Sequence, residues 1–213
     1  MLSRIVKGKV NIMSSKRWLQ EHFSDPYVKK AKEAGYVSRA AFKLLELQEK
    51  DKLIRHGMTV VDLGAAPGGW SQVLLELVGR NGRIVAVDIL EMELISGVEF
   101  IQGDFTEQAC LDQVLDQLGD KADSIVCDMA PNMSGHKSID QPRSMYLVEL
   151  AWDFALNVLK PGGSFVAKAF HGEGLEALVK VMRPHFKVVK YRKPSASRPR
   201  SPEIYLVGLE FKA

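Results

Sequence analysis

Two periods divide this chain, and the change from one to the other falls near Thr59. Before it, apolar residues recur at helical spacing. Ser14 or Ser15 can cap a short helix, SKRWLQEHF. Asp25 followed by Pro26 is an N-cap and first-turn pair for a second, YVKKAKEAG, stopped by Gly35. Ser38 then caps a longer one, RAAFKLLELQEKDKL, whose Ala41, Leu44, Leu45 and Leu47 share a stripe. From Thr59 onward, strand-like runs at 59–63, 83–88, 98–101, 123–127, 163–169, 185–191 and 203–211 alternate with helix-like segments. Those segments span about 69–79, 107–118, 141–159 and 173–183. Such alternation predicts a parallel sheet covered on both faces, and continuous runs such as IVAV suit strands buried on both sides. The last two strands are joined by a Pro/Ser-rich stretch too short for a crossover helix, so they should pair antiparallel.

The first strand runs into a glycine-rich turn, TVVDLGAAPGGWSQ. A dinucleotide fingerprint needs G-x-G-x-x-G. Here Gly64 and Gly68 are separated by three residues and preceded by Asp62, whose carboxylate would repel a pyrophosphate and attract a cation. The pattern D-x-G-x-x-x-G resembles the first motif of class I S-adenosylmethionine methyltransferases. That spacing argues against a nicotinamide oxidoreductase.

In open α/β sheets, ligands sit outside the carboxyl ends of the strands. The residues at those ends are Asp62, Asp88, Asp104, Asp128 and Lys168. Asp88, twenty residues after Gly68, is spaced to accept both ribose hydroxyls of a cofactor. Asp104 is placed to accept from an adenine amine. Any one of these acids could be a helix N-cap instead, Asp104 especially; four together on one rim are harder to explain that way.

The fourth strand is followed by DMAPNMSG, where methyltransferases acting on exocyclic amines resemble D/N-P-P-Y. The missing aromatic points to a hydroxyl acceptor. Lys168 interrupts an apolar run, SFVAKAF, where an unpaired ammonium would be costly. It is therefore the candidate proton acceptor, held by Asp128, with His136 and His171 as weaker candidates. An unperturbed lysine is neutral in only about one molecule in 2,500 at pH 7. Burial or a neighbouring cation would have to favour the free amine, while Asp128 opposes that change.

Composition narrows the partners. The length of 213 residues suits one domain, expected as a flexible basic arm (1–13) and a catalytic domain (14–213) whose helical extension (14–57) binds RNA. Net charge is +3, yet residues 1–43 carry +7, residues 187–200 carry +6 and the rest −10. An acidic body with two basic segments suits a protein that grips a polyanion. Arg17, Lys29, Lys30, Arg39, Lys193, Arg198 and Arg200 are the expected phosphate contacts, with Trp18 or Tyr27 stacking on bases and packing as the alternative for Trp18. The two cysteines, Cys110 and Cys127, sit in apolar contexts and imply buried thiols in a reducing compartment. No apolar run is long enough to span a membrane, so a cytoplasmic protein is expected.

SSKRWLQEHFSDPYV, SRAAFKLLELQ, TVVDLGAAPGGWSQVL, CDMAPNMSG, PRSMYLVELA, FVAKAFHGEG and SRPRSPEIYLV are similar to the FtsJ/RrmJ (RlmE) family from about Ser14 onward. The resemblance implies a Rossmann-like α/β fold with a seven-stranded mixed sheet, order 3-2-1-4-5-7-6. It also implies S-adenosylmethionine as donor, S-adenosylhomocysteine as product and no metal. The implied activity is 2′-O-methylation of a uridine in the A-loop of 23S ribosomal RNA, within the 50S subunit or a late assembly particle, with no obligate protein partner. The family's catalytic tetrad falls on Lys43, Asp128, Lys168 and Glu203, and its cofactor positions on Gly68, Trp70, Asp88, Asp104 and Asp128, beside Asp62 and Gly64 of the turn. A tRNA or cap 2′-O-methyltransferase of the same fold, or a non-catalytic RNA-binding assembly factor, are the alternatives. Residues 1–13 match the family poorly, and Pro199 and Pro202 stiffen the approach to Glu203.

Overall fold

A computed structural model describes residues 25–212. The expected arm, the first helix, Arg17 and Trp18 lie outside them. Two helices precede the sheet. In α1 (Pro26–Ala34), the Asp25 side chain accepts from the Tyr27 amide at 2.9 Å, and Gly35 ends the helix in the left-handed region. Helix α2 (Ala41–Asp51) begins later than expected, and Ser38 is not its cap. Ser38 packs instead against Gly69, where an added Cβ would meet its hydroxyl at 2.3 Å.

The remaining elements alternate as the pattern requires: β1 (Thr59–Leu63), α3 (Gly69–Val78), β2 (Arg83–Asp88), β3 (Glu99–Gln102), α4 (Gln108–Leu118), β4 (Ala122–Cys127), α5 (Lys137–Val158), β5 (Leu159–Phe170), α6 (Leu175–Met182), β6 (Phe186–Arg192) and β7 (Glu203–Phe211). The sheet order is β3-β2-β1-β4-β5-β7-β6, with β7 antiparallel to both its neighbours and the other pairings parallel. Helix α5 starts four residues earlier than its hydropathy suggests. The Asp140 carboxylate accepts from the Ser134 and Gly135 amides, which organises a first turn ahead of Pro142.

Period-two alternation sorts strand residues onto two faces, each with its own core. Val61, Leu63, Val85, Val87, Ile125 and Phe165 pack with α4, α5 and α6. Val60, Ile84, Val126, Val166, Tyr205 and Val207 pack with α2 and α3. Cys110 and Cys127 are both buried free thiols; burial pushes Cys127 up to about 12. Among the described residues no helix is long and apolar enough to cross a membrane.

A set of polar contacts ties α2 to the far edge of the sheet. Asp51, with no exposed side-chain surface, pairs with Lys190 at 2.7 Å and bidentately with Arg192 at 2.8 Å. Burial alone would raise its carboxyl, but these two cations outweigh burial and hold it below the usual range. Glu46 accepts from the Ser195 and Ala196 amides, fixing the β6–β7 connection onto the same helix.

Candidate active site

The parity that builds the second core also builds a polar site. Val126 and Val166 face α2 and α3, so two residues further on Asp128 and Lys168 face the same way. In β7, Tyr205 and Val207 share that face and Glu203 continues the series. Lys43 reaches in from α2. The structure therefore brings together Lys43, Asp128, Lys168 and Glu203. Lys168 Nζ lies 3.2 Å from Asp128 Oδ1 and also donates to the Asp128 carbonyl oxygen. Lys43 Nζ sits 2.9 and 3.0 Å from the two Glu203 oxygens and 3.9 Å from Asp128 Oδ1.

Sequence reasoning missed Tyr205. Its ring is fully buried, and its hydroxyl donates to Asp128 Oδ1 at 2.6 Å. In the β5–β7 register it lies directly opposite Lys168. The only sequence signal is its place two residues after Glu203, on the same strand face. Burial would raise the Asp128 carboxyl, but the Lys168 and Lys43 charges and the Tyr205 bond outweigh it and hold it low. Burial and the Asp128 and Glu203 charges push the Tyr205 phenol well above its ordinary value. Ser197, also missed, donates to Glu203 Oε1 at 2.7 Å.

Asp128 also lines a cavity of about 790 Å³ at the carboxyl rim, with Gly64, Asp88 and Asp104 on the walls. Gly64 has φ +80°, and a Cβ there would lie 2.7 Å from the Met129 amide nitrogen. Glycine thus leaves the turn and the loop after β4 in close contact. Asp88 accepts from the Ala66 amide at 2.9 Å and the Leu90 amide at 2.8 Å, which fixes the carboxylate at the wall. Asp104 accepts from the Thr106 amide and hydroxyl, bonds that hold it below the usual carboxylate range.

Three expected cofactor residues are not on the cavity wall. Trp70 is 2% exposed; its indole donates to the Ala40 carbonyl at 2.8 Å and packs on Tyr205. Gly68 turns the chain into α3 at φ +105°. Asp62 is wholly buried behind the turn and accepts from the Ser71 hydroxyl at 2.7 Å, while its Oδ1 has no partner. Burial pushes this carboxyl up to about 7 against the Ser71 bond, and the Asp128 and Asp88 charges add to the rise. Sequence spacing places all three beside the turn, but only side-chain direction separates wall from support.

The basic residues divide similarly. Lys29 and Lys30 are exposed on α1, with Lys30 over the Tyr27 ring. The half-buried Tyr27 ring packs against Phe42, with ring centroids 5.6 Å apart. Arg39 is engaged internally by Asp25 and the Ala196 carbonyl. Lys193 donates to the Ser201 and Glu203 carbonyls at 2.6 Å, pinning the β6–β7 connection. Arg198 approaches Asp25 at 3.9 Å, and Arg200 is exposed.

A cation with a sulfonium and an ammonium suits this donor set. The carboxylates of Asp88 and Asp104 on the cavity wall favour positive charge. Among the described residues no cluster of three or more His, Cys, Asp or Glu could hold a metal ion.

This sheet order with a rim cavity defines a Rossmann-like methyltransferase. The chain belongs to the FtsJ-like methyltransferase family, whose model matches residues 36–211. It is similar to a solved Plasmodium falciparum protein described as a ribosomal RNA methyltransferase, with 31% identity, TM-score 0.74, and 83% of this chain and 98% of that one covered. A Clostridium thermocellum protein described as an rRNA-methylase shares the fold at 19% identity and TM-score 0.54, over 79% of this chain and 97% of that one. A Streptococcus thermophilus protein described as a hemolysin shares it at 20% identity and TM-score 0.58, over 83% of this chain and 67% of that one. The family implies S-adenosylmethionine as methyl donor and RNA methylation as the activity.

Proposed function

We propose that the protein methylates the ribose 2′-hydroxyl of a uridine in the A-loop of 23S ribosomal RNA, acting on the large subunit or a late assembly particle. The observation that carries the reading is the contact series Lys168–Asp128–Lys43–Glu203, joined to the rim cavity through Asp128. Bound in that cavity, S-adenosylmethionine would supply an electrophilic methyl group. Asp88 and Asp104 would hold its ribose and adenine, and Gly64 would let the backbone approach. Lys168 takes the 2′-hydroxyl proton on Nζ as the oxygen attacks, and Asp128 orients that amine. Lys43 and Glu203, bonded to each other, bind the acceptor ribose. A hydroxyl acceptor is supported by the loop after β4, where Ala130-Pro131-Asn132 offers no aromatic to stack on a base.

General-base work contributes about 10²–10⁴-fold, and alignment of the two reactants supplies the rest. Lys168→Ala should therefore lower kcat by about 10²–10⁴-fold while retaining S-adenosylmethionine affinity. Lys168→Arg should be equally impaired, because it keeps the charge but cannot surrender its proton. The assay is transfer of tritiated methyl from S-adenosylmethionine to 23S RNA and to large subunits, followed by mapping of the modified nucleotide. Near-normal turnover by Lys168→Arg would remove Lys168 as the base. Label on a base or at another position would remove the substrate assignment.

A further inference from the structure

Lys43 and Glu203 line a second cavity of about 270 Å³, together with Arg39, Ala40, Arg198 and Ser201. The two cavities are adjacent through the site itself: Asp128 lines the first, Lys43 lines the second, and they are 3.9 Å apart. A ribose held between Lys168 and Lys43 would therefore have the second cavity beside it, open to the neighbouring part of its nucleotide. The 2′-oxygen and the 3′-phosphodiester stand on neighbouring carbons, so the 3′ linkage is the group that must be accommodated beside the reacting oxygen.

The charges there are poised for an anion. Lys43 is matched by Glu203, which contacts it through both oxygens. Arg39 and Arg198 have only Asp25 to share as an ion-pair partner among the described residues. Burial, followed by the nearby Arg198 charge, lowers the Arg39 guanidinium from its ordinary value, so the two arginines repel across a half-buried site. Asp25 is fixed by its other oxygen, which caps α1 through the Tyr27 amide, and it cannot fully neutralise both. Guanidinium groups match phosphate oxygens in geometry as well as charge.

We propose that Arg39 and Arg198 form a subsite for the 3′-phosphodiester of the target nucleotide, with Asp25 as the internal anion that occupies the arginines until RNA arrives. This rests on the 2′-hydroxyl reading above and adds to it the linkage that seats the ribose. RNA binding draws the guanidinium groups from the carboxylate to the phosphate, so Asp25 weakens binding while keeping the unliganded cluster from repelling itself.

The test is binding by the full chain, read without catalysis. The probe is an A-loop RNA hairpin with a 2′-deoxyuridine at the target position, carrying an ordinary linkage or a neutral methylphosphonate on its 3′ or 5′ side. Arg198→Gln should weaken binding of the ordinary hairpin about ten-fold or more and lower the log–log salt slope by about 0.7–0.9, the loss of one phosphate contact. The 3′ methylphosphonate should weaken wild-type binding similarly but add little to Arg198→Gln, while the 5′ substitution should weaken both proteins alike. Asp25→Asn, which keeps an N-cap side chain, should tighten binding several-fold. An unchanged salt slope in Arg198→Gln, or coupling to the 5′ linkage, would overturn the subsite; weaker binding by Asp25→Asn would overturn the internal-anion role. If the slope changes but no 2′-O-methyl is found on any RNA, the phosphate subsite stands and the reaction falls; methylation with an unchanged slope gives the reverse.

Discussion

Replacing Asp62 by Asn isolates one buried charge. The folded carboxyl holds its proton up to about 7, whereas the unfolded chain loses it near 3.8. Between those values the folded state binds more protons, so stability falls as pH rises from about 4 to about 7 and then levels off. At about 1.36 kcal/mol per pH unit, the whole window is worth about 4 kcal/mol, of which about 3 kcal/mol falls between pH 5 and pH 8. Asn is neutral throughout and its carbonyl can keep the Ser71 bond. Urea denaturation of both proteins at pH 5, 6, 7 and 8 gives the difference between them, from which groups titrating alike in the two cancel. That difference should move in favour of Asp62→Asn by about 3 kcal/mol across the range. A difference independent of pH would mean that the carboxylate is ionised at little cost, and the account of this position would be wrong.

Tyr205→Phe removes one donor to Asp128 and should destabilise the protein by about 1.5–3 kcal/mol at pH 7, measured by chemical denaturation. Because the Asp128 carboxyl is depressed in the fold, its contribution is present above about pH 4 and lost as pH falls through the folded value, so the gap between the two proteins should narrow in acid. Gly64→Ala puts a Cβ 2.7 Å from the Met129 amide at φ +80°, and the contact is with backbone. It should cost about 1–3 kcal/mol in thermal or chemical denaturation and weaken S-adenosylmethionine binding by calorimetry; unaltered binding would show that the turn does not shape the cavity.

Local patterns determined a large part of this protein from sequence alone. Strand spans such as 59–63, 83–88 and 203–211 coincide with the structure, because period and punctuation are properties of adjacent residues. Asp25, Pro26 and Gly35 delimit α1 for the same reason. Strand ends gave the rim residues Asp88 and Asp128, and Lys168 was visible as a polar residue in an apolar run. Only tertiary structure decided which neighbours those residues meet. Tyr205 reads as one more strand aromatic until the β5–β7 register sets it against Lys168. Ser38 reads as a cap until the turn at Gly69 packs onto it. The engagement of Arg39 by Asp25, and of Lys193 by the Ser201 and Glu203 carbonyls, is likewise invisible along the chain. Trp70 and Asp62 sit in the cofactor motif yet point behind it, Trp70 onto Ala40 and Asp62 onto Ser71. Period and capping act over a few residues, whereas register, face coverage and side-chain pairing join distant segments, Lys43 and Glu203 being 160 residues apart. No window along the chain contains those contacts.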